Sequence, residues 1–489
     1  MPVPNVQVSK NPFALPPVPP SPDGILAIFA SSQNALPNVG AYGDPGVLFA
    51  AAGYGPLAEY GALVMNASGH SVVAGTPTTT TTATYSAITY TGTGTLVPTA
   101  GATHPLEHYA VKVLFIAGGT IGVAGITYQY SLDAGGTFSA TIALGTATTL
   151  SIPNSGVSFT LTATQTVVAG DSFVCYTERA LMNDSDCTAA LTTLQLARLQ
   201  WEMVHLDTNI GAATVGVVDT ILAGWEKKGQ FKIALLNTRF KMEPSPATEA
   251  ESAYLTAMTT LVGSQVSQRL CVGTDGAHIP SPLTGYNLKR PAAIALAMQA
   301  MALVPNIGVD PAFVGNGPVQ GAQIADANGN PFDHDEDLYP GLDNLGLVAL
   351  RSFAPGGPVG VYINNANVLS GGSNIKYLQQ LRVLNKACGI AWAILSSLLS
   401  LGVRSQVNSQ TGVVNIAEID AQKIDEQVNP QLVGALQGQV QQVLFATSRT
   451  DNLGANPPIV TGTVTVVGFI YVKGFVVTVA FAKAISVAG

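Results

Sequence analysis

Two hydrophobic periodicities alternate along the chain and divide it into regions. Residues 24–32, "GILAIFASS", are continuously apolar between turn signals, which predicts a buried strand. A short helix is predicted around Pro56–Asn66, with Gly-rich loops on both sides, and a strand at 71–74. The Thr-rich stretch that follows, "TPTTTTTATYSAITYTGTGT", disfavours a helix because Thr is stiff at its first side-chain torsion. We interpret it as a linker or an edge ribbon.

From about residue 104 to 180 apolar and polar residues alternate with period two. Runs of five to eight such residues are separated by turn signals, among them Gly118-Gly119 and Gly170-Asp171. Several short strands at this spacing are typical of a small β-sandwich. We therefore predict a self-contained inserted sandwich.

After Asp184 strand and helix patterns alternate. "DSDCTAALTTLQLARL" predicts a helix capped by an Asp, "QWEMVHLD" a strand, and "AATVGVVDTILAGWEKKGQ" another helix, and the alternation continues to about residue 304. This order indicates βαβ units and a parallel sheet. Two strands, "LGLVALRSFA" and "PVGVYINNANVL", come next, and a long helix is predicted from Ile375 to about Val403.

The stretch from Thr463 to Ile485, "TVTVVGFIYVKGFVVTVAFAKAI", has two interpretations. As a membrane helix it would carry Lys473 near its middle, at a cost of about 2.5–3.5 kcal/mol. Gly468 and Gly474 interrupt it, and its β-branched residues lower helix propensity. We therefore favour two strands, near 463–472 and 474–482, and keep the membrane helix as the minor alternative.

The composition of the chain changes what its surface is expected to do. A length of 489 residues predicts two to four domains. Charged residues make up 10% of the chain, against roughly 25% in a typical soluble domain. A free monomer with so few charges is poorly protected against association, so we expect much of the surface to be covered by other subunits. The net charge of −8 and the lack of a Lys/Arg cluster argue against a nucleic-acid partner.

The cysteines and the amino-terminal residues indicate the cellular compartment in which the chain is made. Cys175, Cys187, Cys271 and Cys388 lack CxxC spacing, and we expect reduced, buried thiols. The Pro-rich start, "MPVPNVQVSKNPFALPPVPPSPDG", does not have the pattern of a signal peptide, and we interpret it as an extended arm on a chain made in a cytoplasm.

Motifs for chemistry are weak in this sequence. A strand–helix alternation invites a nucleotide-binding hypothesis, but "GxGxxG", "GxxxxGK[ST]", "GxSxG" and "HExxH" do not occur. We therefore predict no catalytic residue, no metal site and no cofactor. The six histidines are scattered, and we interpret them as surface or edge residues. Residues 326–337, "DANGNPFDHDED", loosely resemble a calcium loop, but Gly329 and Pro331 stand at the wrong positions, so an exposed acidic turn is preferred over calcium.

The order of these parts resembles the contractile tail sheath proteins of bacteriophages and related injection machines. Four stretches carry the resemblance: residues 24–75, the strand–helix run from 184 to 304, "LDNLGLVALRSFAPGGPVGVYINNANVLSGGSNIKYLQQLRVLNKACGIAWAIL", and the terminal "VTVVGFIYVKGFVVTVAFA". The chain departs from better-known sheaths where "YINNANVLSGG" replaces their "PANV"-like loop, so the subfamily stays open.

The resemblance implies an α/β fold: a tail-sheath-like core with a mixed or parallel sheet, an inserted β-sandwich, and extended N- and C-terminal arms. The implied boundaries are an arm at 1–23, a first domain with the Thr-rich linker at 24–103, the sandwich at 104–183, the α/β core at 184–370, and a C-terminal domain at 371–489. The last of these contains the long helix and a strand-exchange arm.

The resemblance also implies a structural role without enzymatic activity. Such subunits form a homo-oligomer of stacked hexameric rings around an inner tail tube, contract to drive the tube through the host envelope, and meet baseplate and tail terminator proteins. A virion tail protein assembled in the host bacterial cytoplasm, with no nucleic-acid partner and no membrane anchor, is expected. Another tail or baseplate protein, and an α/β enzyme, are the alternatives. The residues expected to cross to a neighbouring subunit are Val3, Val6, Val8, Phe475, Val476, Val477, Val479 and Phe481.

Overall fold

The computed structural model describes residues 23–78, 81–241, 249–304, 306–324, 334–352, 357–371, 375–397, 405–407, 414–449, 459–468 and 480–488. The chain divides into two compact units. The first, which we call the sheet unit, contains residues 22–225 and 232–381. The second, the C-terminal unit, contains residues 1–21, 226–231 and 382–489.

The first part of the sheet unit already contains both strands and helices. Its elements are β1 (Leu26–Phe29), β2 (Gly40–Tyr42), α1 (Pro45–Ala52), α2 (Pro56–Ser68) and β3 (Val72–Gly75). The predicted helix at 56–66 and the strands at both its sides are confirmed. Helix α1 falls in a region that we predicted as a Gly-rich loop. It forms because Asp44 accepts a hydrogen bond from the Val47 amide at 3.0 Å and Pro45 occupies its first turn.

The next part of the sheet unit is built almost entirely of short antiparallel strands. They are β4 (Thr84–Tyr85), β5 (Thr89–Thr91), β6 (Thr99–Ala100), β7 (Ala110–Ala117), β8 (Gly119–Thr120), β9 (Thr127–Ser131), β10 (Ile142–Ala143), β11 (Thr149–Ser151), β12 (Ser158–Thr160), β13 (Thr166–Val167) and β14 (Ser172–Glu178). One sheet has the order β10-β9-β7-β14-β4, with β5 also paired to β14, and another has the order β11-β12-β6.

These two sheets contribute to one apolar cluster. Phe115 and Phe173 from the first sheet, and Leu150 and Phe159 from the second, are almost completely buried. The rings of Phe159 and Phe173 meet edge to face with centroids 4.8 Å apart. Period-two alternation in the sequence therefore corresponds to real strands here, while the sandwich as a separate inserted domain stays a prediction.

The third part of the sheet unit alternates helices and strands. Its elements are α3 (Asp184–Ala197), β15 (Met203–Asn209), α4 (Thr214–Glu226), β16 (Ile233–Asn237), α5 (Glu251–Val262), β17 (Leu270–Gly273), β18 (Gly276–Pro280), β19 (Asn287–Pro291), α6 (Ala292–Ala302), β20 (Leu350–Arg351) and β21 (Tyr362–Ile363), with 3-10 helices at Val314–Asn316 and Asp343–Leu345.

The central sheet joins the first and third parts in the order β17-β16-β15-β1-β3-β2. Its pairs are parallel except for β2, which runs antiparallel to β3, so the sheet is mixed. Strand β1 lies in the middle, where Leu26 pairs with Met203 on one side and with Val72 on the other. All four residues of β1 are buried, as expected for a strand covered on both faces. The predicted parallel arrangement of βαβ units is thus confirmed.

The amino end of α3 differs in one detail from the sequence prediction. The capping residue is Asn183 and not an Asp. Its side chain accepts a hydrogen bond from the Asp186 amide at 2.9 Å, and the Asp186 carboxylate accepts one from the Asn183 amide at 3.0 Å. This is a reciprocal capping box, and it requires extended backbone at Asn183, which leaves Asp184 inside the helix.

The C-terminal unit contains most of one long helix and a three-stranded sheet. Its elements are α7 (Leu378–Ser397, whose first four residues belong to the sheet unit), β22 (Ser405–Val407), β23 (Val414–Ile416), α8 (Glu418–Leu436), β24 (Val440–Thr447), β25 (Ile459–Gly468) and β26 (Ala480–Ala488). Strands are confirmed at 463–468 and 480–482, within the stretch for which a membrane helix was the alternative. Among the described residues, no helix is long and apolar enough to cross a membrane. The predicted extension of α7 to Val403 lies outside the described residues.

We predict that Gly61→Ala lowers the free energy of unfolding by about 1–2 kcal/mol. Gly61 lies in α2, and a methyl group there would overlap the buried Leu48 Cδ2 atom of α1, which outweighs the gain in helix propensity. Gly224→Ala in α4 is the matched control, because no atom lies within 4 Å of its added methyl group. It should raise stability by about 0.5–1 kcal/mol. Urea unfolding of both variants measures the two changes, and equal effects would contradict the packing argument.

Candidate functional site

The C-terminal sheet holds the part of the predicted arm that the structure describes. Phe481 lies in β26, opposite Val466 of β25. Strand β26 pairs antiparallel with β25 over nine registered residues, from Val467↔Ala480 to Ile459↔Ala488. The other predicted arm residues, Val3, Val6, Val8, Phe475, Val476, Val477 and Val479, lie outside the described residues. That any of them crosses to a neighbour stays a prediction.

Helix α8 covers one face of this sheet. Its buried apolar positions follow helical spacing: Ala421, Ile424, Val428, Leu432 and Leu436. The strands alternate in step with it. Phe445 of β24 and Val464 and Val466 of β25 are buried, whereas Leu444 and Thr463 point to the opposite, exposed face. Burial on one face fixes the register of both strands, because a slip by one residue would expose the apolar set.

The outer edge of β24, on the side away from β25, is occupied by side chains. Asn429 of α8 accepts a hydrogen bond from the Phe445 amide at 2.7 Å and donates one to the Phe445 carbonyl at 2.9 Å. The Asp425 carboxylate accepts a hydrogen bond from the Thr447 amide at 2.7 Å. Arg449 donates to the Thr447 carbonyl at 2.7 Å and to Asp425 at 3.0 Å. We call Asp425, Asn429 and Arg449 the edge clamp.

These bonds settle which pairs in the sheet are hydrogen-bonded. The backbone amide and carbonyl of Phe445 are both hydrogen-bonded to Asn429, so Phe445↔Val464 is a non-hydrogen-bonded pair. Alternation then turns the backbone groups of Val464 toward β26 and those of Thr463 toward β24. Consequently Thr463↔Ala484 is a non-hydrogen-bonded pair between β25 and β26.

The sheet unit contains a second polar feature, which we call the buried charge network. It joins elements that are far apart in sequence: α2, the residues just before β7 and just after β14, β15 and β19. Its five members are all less than a tenth exposed: Glu59, Glu107, Arg179, Asp207 and Arg290.

The two guanidinium groups of the network bridge the three carboxylates. Arg290 donates to Glu107 at 2.6 Å, and its Nη2 atom lies 3.1 Å from Glu59 Oε2 without the alignment of a hydrogen bond. Arg179 donates through Nε to Asp207 at 2.7 Å, and its Nη1 atom lies 3.5 Å from Glu107. The ring of Tyr60 lies between them, with the two guanidinium carbons 5.7 and 5.6 Å from its centroid.

Burial shifts the titration of the groups around this network. It raises the pKa of Glu59, although Arg290 and a hydrogen bond from Ser281 act in the opposite direction. It lowers the pKa of His205 to about 4, and it lowers that of His108 well below the usual range, where Arg179 adds to the effect. Both imidazoles are therefore neutral at pH 7.

The interpretation of the histidines as surface or edge residues is wrong for three of them. His108, His205 and His334 are at most 6% exposed. His205 Nδ1 lies 3.1 Å from the Leu235 carbonyl inside the central sheet, and His108 Nδ1 lies 3.2 Å from the Thr177 carbonyl. A backbone carbonyl thus lies beside one ring nitrogen of each imidazole, and such a partner leaves no mark in the sequence.

His334 belongs to a smaller group of buried charges. Its two ring nitrogens each lie 3.1 Å from a carboxylate, Glu251 on one side and Glu336 on the other. Glu336 also accepts hydrogen bonds from the amides of Gly341 and Asp343. The expected exposed acidic turn is therefore wrong for residues 334–336, which are buried, while Asp337 is exposed as expected. Residues 326–333 of the loop compared with a calcium site lie outside the described residues.

The cysteines are the remaining side chains with potential for chemistry, and they are packed inside the protein. All four cysteines are buried and free, as predicted, and burial raises the pKa of Cys187 to about 12. Within the described ranges, no group of three or more His, Cys, Asp or Glu residues could hold a metal ion.

Comparison with known proteins found similar solved structures but no match by sequence. No protein-family model matches the sequence, and no curated protein matches it. Solved structures similar to this chain include a sheath tail protein from Listeria innocua, at 13% identity over 95% of both chains with a TM-score of 0.46. A sheath tail protein from Desulfitobacterium hafniense has 10% identity over 95% of this chain and 96% of its own, also with a TM-score of 0.46. The contracted sheath of an extracellular contractile injection system is similar over 62% of this chain and 71% of its own, with 13% identity and a TM-score of 0.35.

We predict that Arg290→Met lowers the free energy of unfolding by about 3–5 kcal/mol, because it leaves Glu59 and Glu107 buried without their shared cation. Lys228→Met, at an exposed position, is the matched control and should change stability by less than about 0.5 kcal/mol. Denaturant titrations of both variants provide the test. Adding Glu107→Gln to Arg290→Met should recover part of the loss, and an additive further loss would argue against the network.

A pH dependence is predicted from His334. Burial lowers its pKa, but hydrogen bonds to Glu336 and Glu251 outweigh this effect and raise the pKa above 6.5. The protonated form is therefore favoured by folding. Its contribution to stability is complete below the unfolded value and is lost as the pH rises through the folded value.

The stability difference between the wild type and His334→Gln should thus be larger at pH 6 than at pH 9. Chemical unfolding at the two pH values measures it, with His104→Gln at an exposed position as the control. A difference that grows with pH would contradict the assignment.

Proposed function

We propose that this chain is the structural subunit of a contractile tail sheath. It polymerises as stacked hexameric rings around an inner tube, and contraction drives the tube through the host envelope. Its partners are further copies of itself, the tail tube protein, and the baseplate and terminator proteins at the two ends. Its place is the virion tail, assembled in the host bacterial cytoplasm.

The observation that carries the proposal is the position of β26. It is formed by residues 480–488, lies at the edge of its sheet, and pairs with β25 over nine residues. Eleven residues, 469–479, separate it from β25 in the sequence. A terminal strand at an edge can be donated to an identical sheet in a second copy with the same hydrogen bonds, because only the connection changes. Repeated donation links subunits into a continuous mesh.

Two further features support a mechanical role. The low charge content of 10% suits a surface that other subunits cover. The buried charge network ties β15 and β19 to residues beside β7 and β14, so buried ion pairs fasten the antiparallel sheets to the central sheet. A subunit that transmits force between rings needs such stiffness, since a soft junction would absorb the displacement.

Electron microscopy of the purified chain tests the sheath role. We expect the full chain to form hollow striated tubes or stacked rings, and a chain ending at Val479, which lacks β26, to remain small. Both proteins should show the same helix and strand content by circular dichroism. A full chain that stays monomeric at high concentration would contradict the proposal.

A disulfide lock tests the exchange itself. Thr463 and Ala484 form a non-hydrogen-bonded pair, in which Cα atoms are about 4.5 Å apart, a separation that a disulfide can span. Thr463→Cys/Ala484→Cys, oxidised as a dilute monomer, ties β26 to its own chain. We expect the oxidised protein not to assemble and reduction to restore assembly.

Two controls make the lock experiment decisive. Thr463→Cys alone should assemble under both conditions, and the four native thiols are buried. Oxidation of preassembled reduced double variant should give covalently linked chains on a non-reducing gel. If the oxidised monomer assembles as well as the reduced one, strand exchange is wrong even where tubes confirm a sheath.

A further inference from the structure

The two edges of the C-terminal sheet differ in the state of their backbone groups. At β24, Phe445 and Thr447 point their amides and carbonyls away from β25, and the edge clamp binds all four groups at 2.7–2.9 Å. An incoming strand would need these same groups. Pairing along Phe445 and Thr447 would therefore have to break four hydrogen bonds.

At β26 the arrangement is the opposite. Thr463↔Ala484 and, by the same alternation, Thr465↔Ala482 and Thr461↔Ser486 are non-hydrogen-bonded pairs. The backbone groups of Ala482, Ala484 and Ser486 therefore point away from β25, and in the described sheet β26 pairs with β25 alone. This edge offers a regular row of donors and acceptors.

The clamp is built from one stripe of α8. Glu418, Gln422, Asp425 and Asn429 recur at intervals of three and four, so they lie along one side of the helix, next to its buried apolar stripe. Arg449, just beyond β24, joins the two ends: it bonds Asp425 at 3.0 Å and Glu418 at 3.1 Å. Asn429 cannot be replaced by a carboxylate without loss, because it both donates to and accepts from Phe445.

We infer that the edge clamp closes β24 and so directs strand addition by a second copy of this chain to the β26 side of the sheet. The inference rests on the proposed function for its biological meaning and names the edge that the subunit contact uses. With β24 open as well, each sheet would have two receptive edges, and copies could pair edge to edge in an unproductive geometry. The clamp removes that competing mode.

The test uses the disulfide-locked protein, in which β26 is held by its own chain. In that background we compare the intact clamp with Asp425→Ala/Asn429→Ala, by light scattering of size-separated samples over a range of concentrations. Because the outer edge of β26 stays open in this background, we expect the intact clamp to go no further than a dimer. The opened clamp, with two receptive edges, should form species larger than a dimer. Hydrogen exchange at the Phe445 and Thr447 amides should be about tenfold faster in the opened variant.

Milder and matched variants keep the test clear of misfolding. Of the four clamped backbone groups of β24, Arg449→Ala frees only the Thr447 carbonyl. It should therefore give weaker association than the double variant. Gln422→Ala is the control, because Gln422 lies on the same stripe but bonds Glu418 and not β24. It should associate no further than the intact clamp.

The outcomes separate this inference from the proposed function. If the amides of Phe445 and Thr447 exchange faster yet the opened variants associate no further than the intact clamp, the clamp only fastens α8 to the sheet and the inference is overturned. If instead no protein with free β26 forms tubes while the opened variants associate beyond a dimer, the clamp stands and the sheath role falls.

Discussion

Backbone amides and carbonyls at the edge of a β-sheet must find partners, and the C-terminal unit depends on how this requirement is met. At Phe445 and Thr447 of β24 the partners come from side chains of α8 and from Arg449, so this part of the edge is satisfied within one chain. At β26 the amides and carbonyls that point away from β25 meet no further strand of the described sheet. The same physical need thus gives one edge that ends the sheet and one that can continue it.

The sheet unit meets a related constraint with charge. Two guanidinium groups and three carboxylates are buried together, and each costs several kcal/mol to remove from water unless it is paired. Such a network adds little net stability compared with apolar packing. It does require one geometry, since displacing a partner leaves a buried charge unpaired. Because Glu107 and Arg179 lie beside strands of the antiparallel sheets, this requirement fixes the position of those sheets relative to β15 and β19.

Sequence periodicity predicted the strands and helices well wherever a residue pattern fits only one kind of secondary structure. The apolar run at 24–32 became a fully buried central strand, and the alternation after residue 184 became parallel βαβ units. Helix α1 was missed because it is short and contains Gly46, so its start depends on a single Asp44 hydrogen bond. The cap of α3 was predicted one residue late, at Asp184 in place of Asn183. Caps are set by local backbone conformation, and the sequence does not show which of these two residues has the extended backbone.

The amino-acid sequence by itself determined the period of each segment, the absence of phosphate-loop motifs, and the low charge that favours assembly, since these depend only on which residues follow one another. Tertiary structure alone decided the rest. Glu59 and Arg290 are 231 positions apart, and nothing local pairs them. Lys289 and Arg290 are adjacent in sequence, and only folding places each beside a buried carboxylate. Likewise Asn429 is an ordinary helix residue until β24 comes within hydrogen-bonding distance. Burial and long-range pairing are properties of three-dimensional proximity, which sequence spacing does not record.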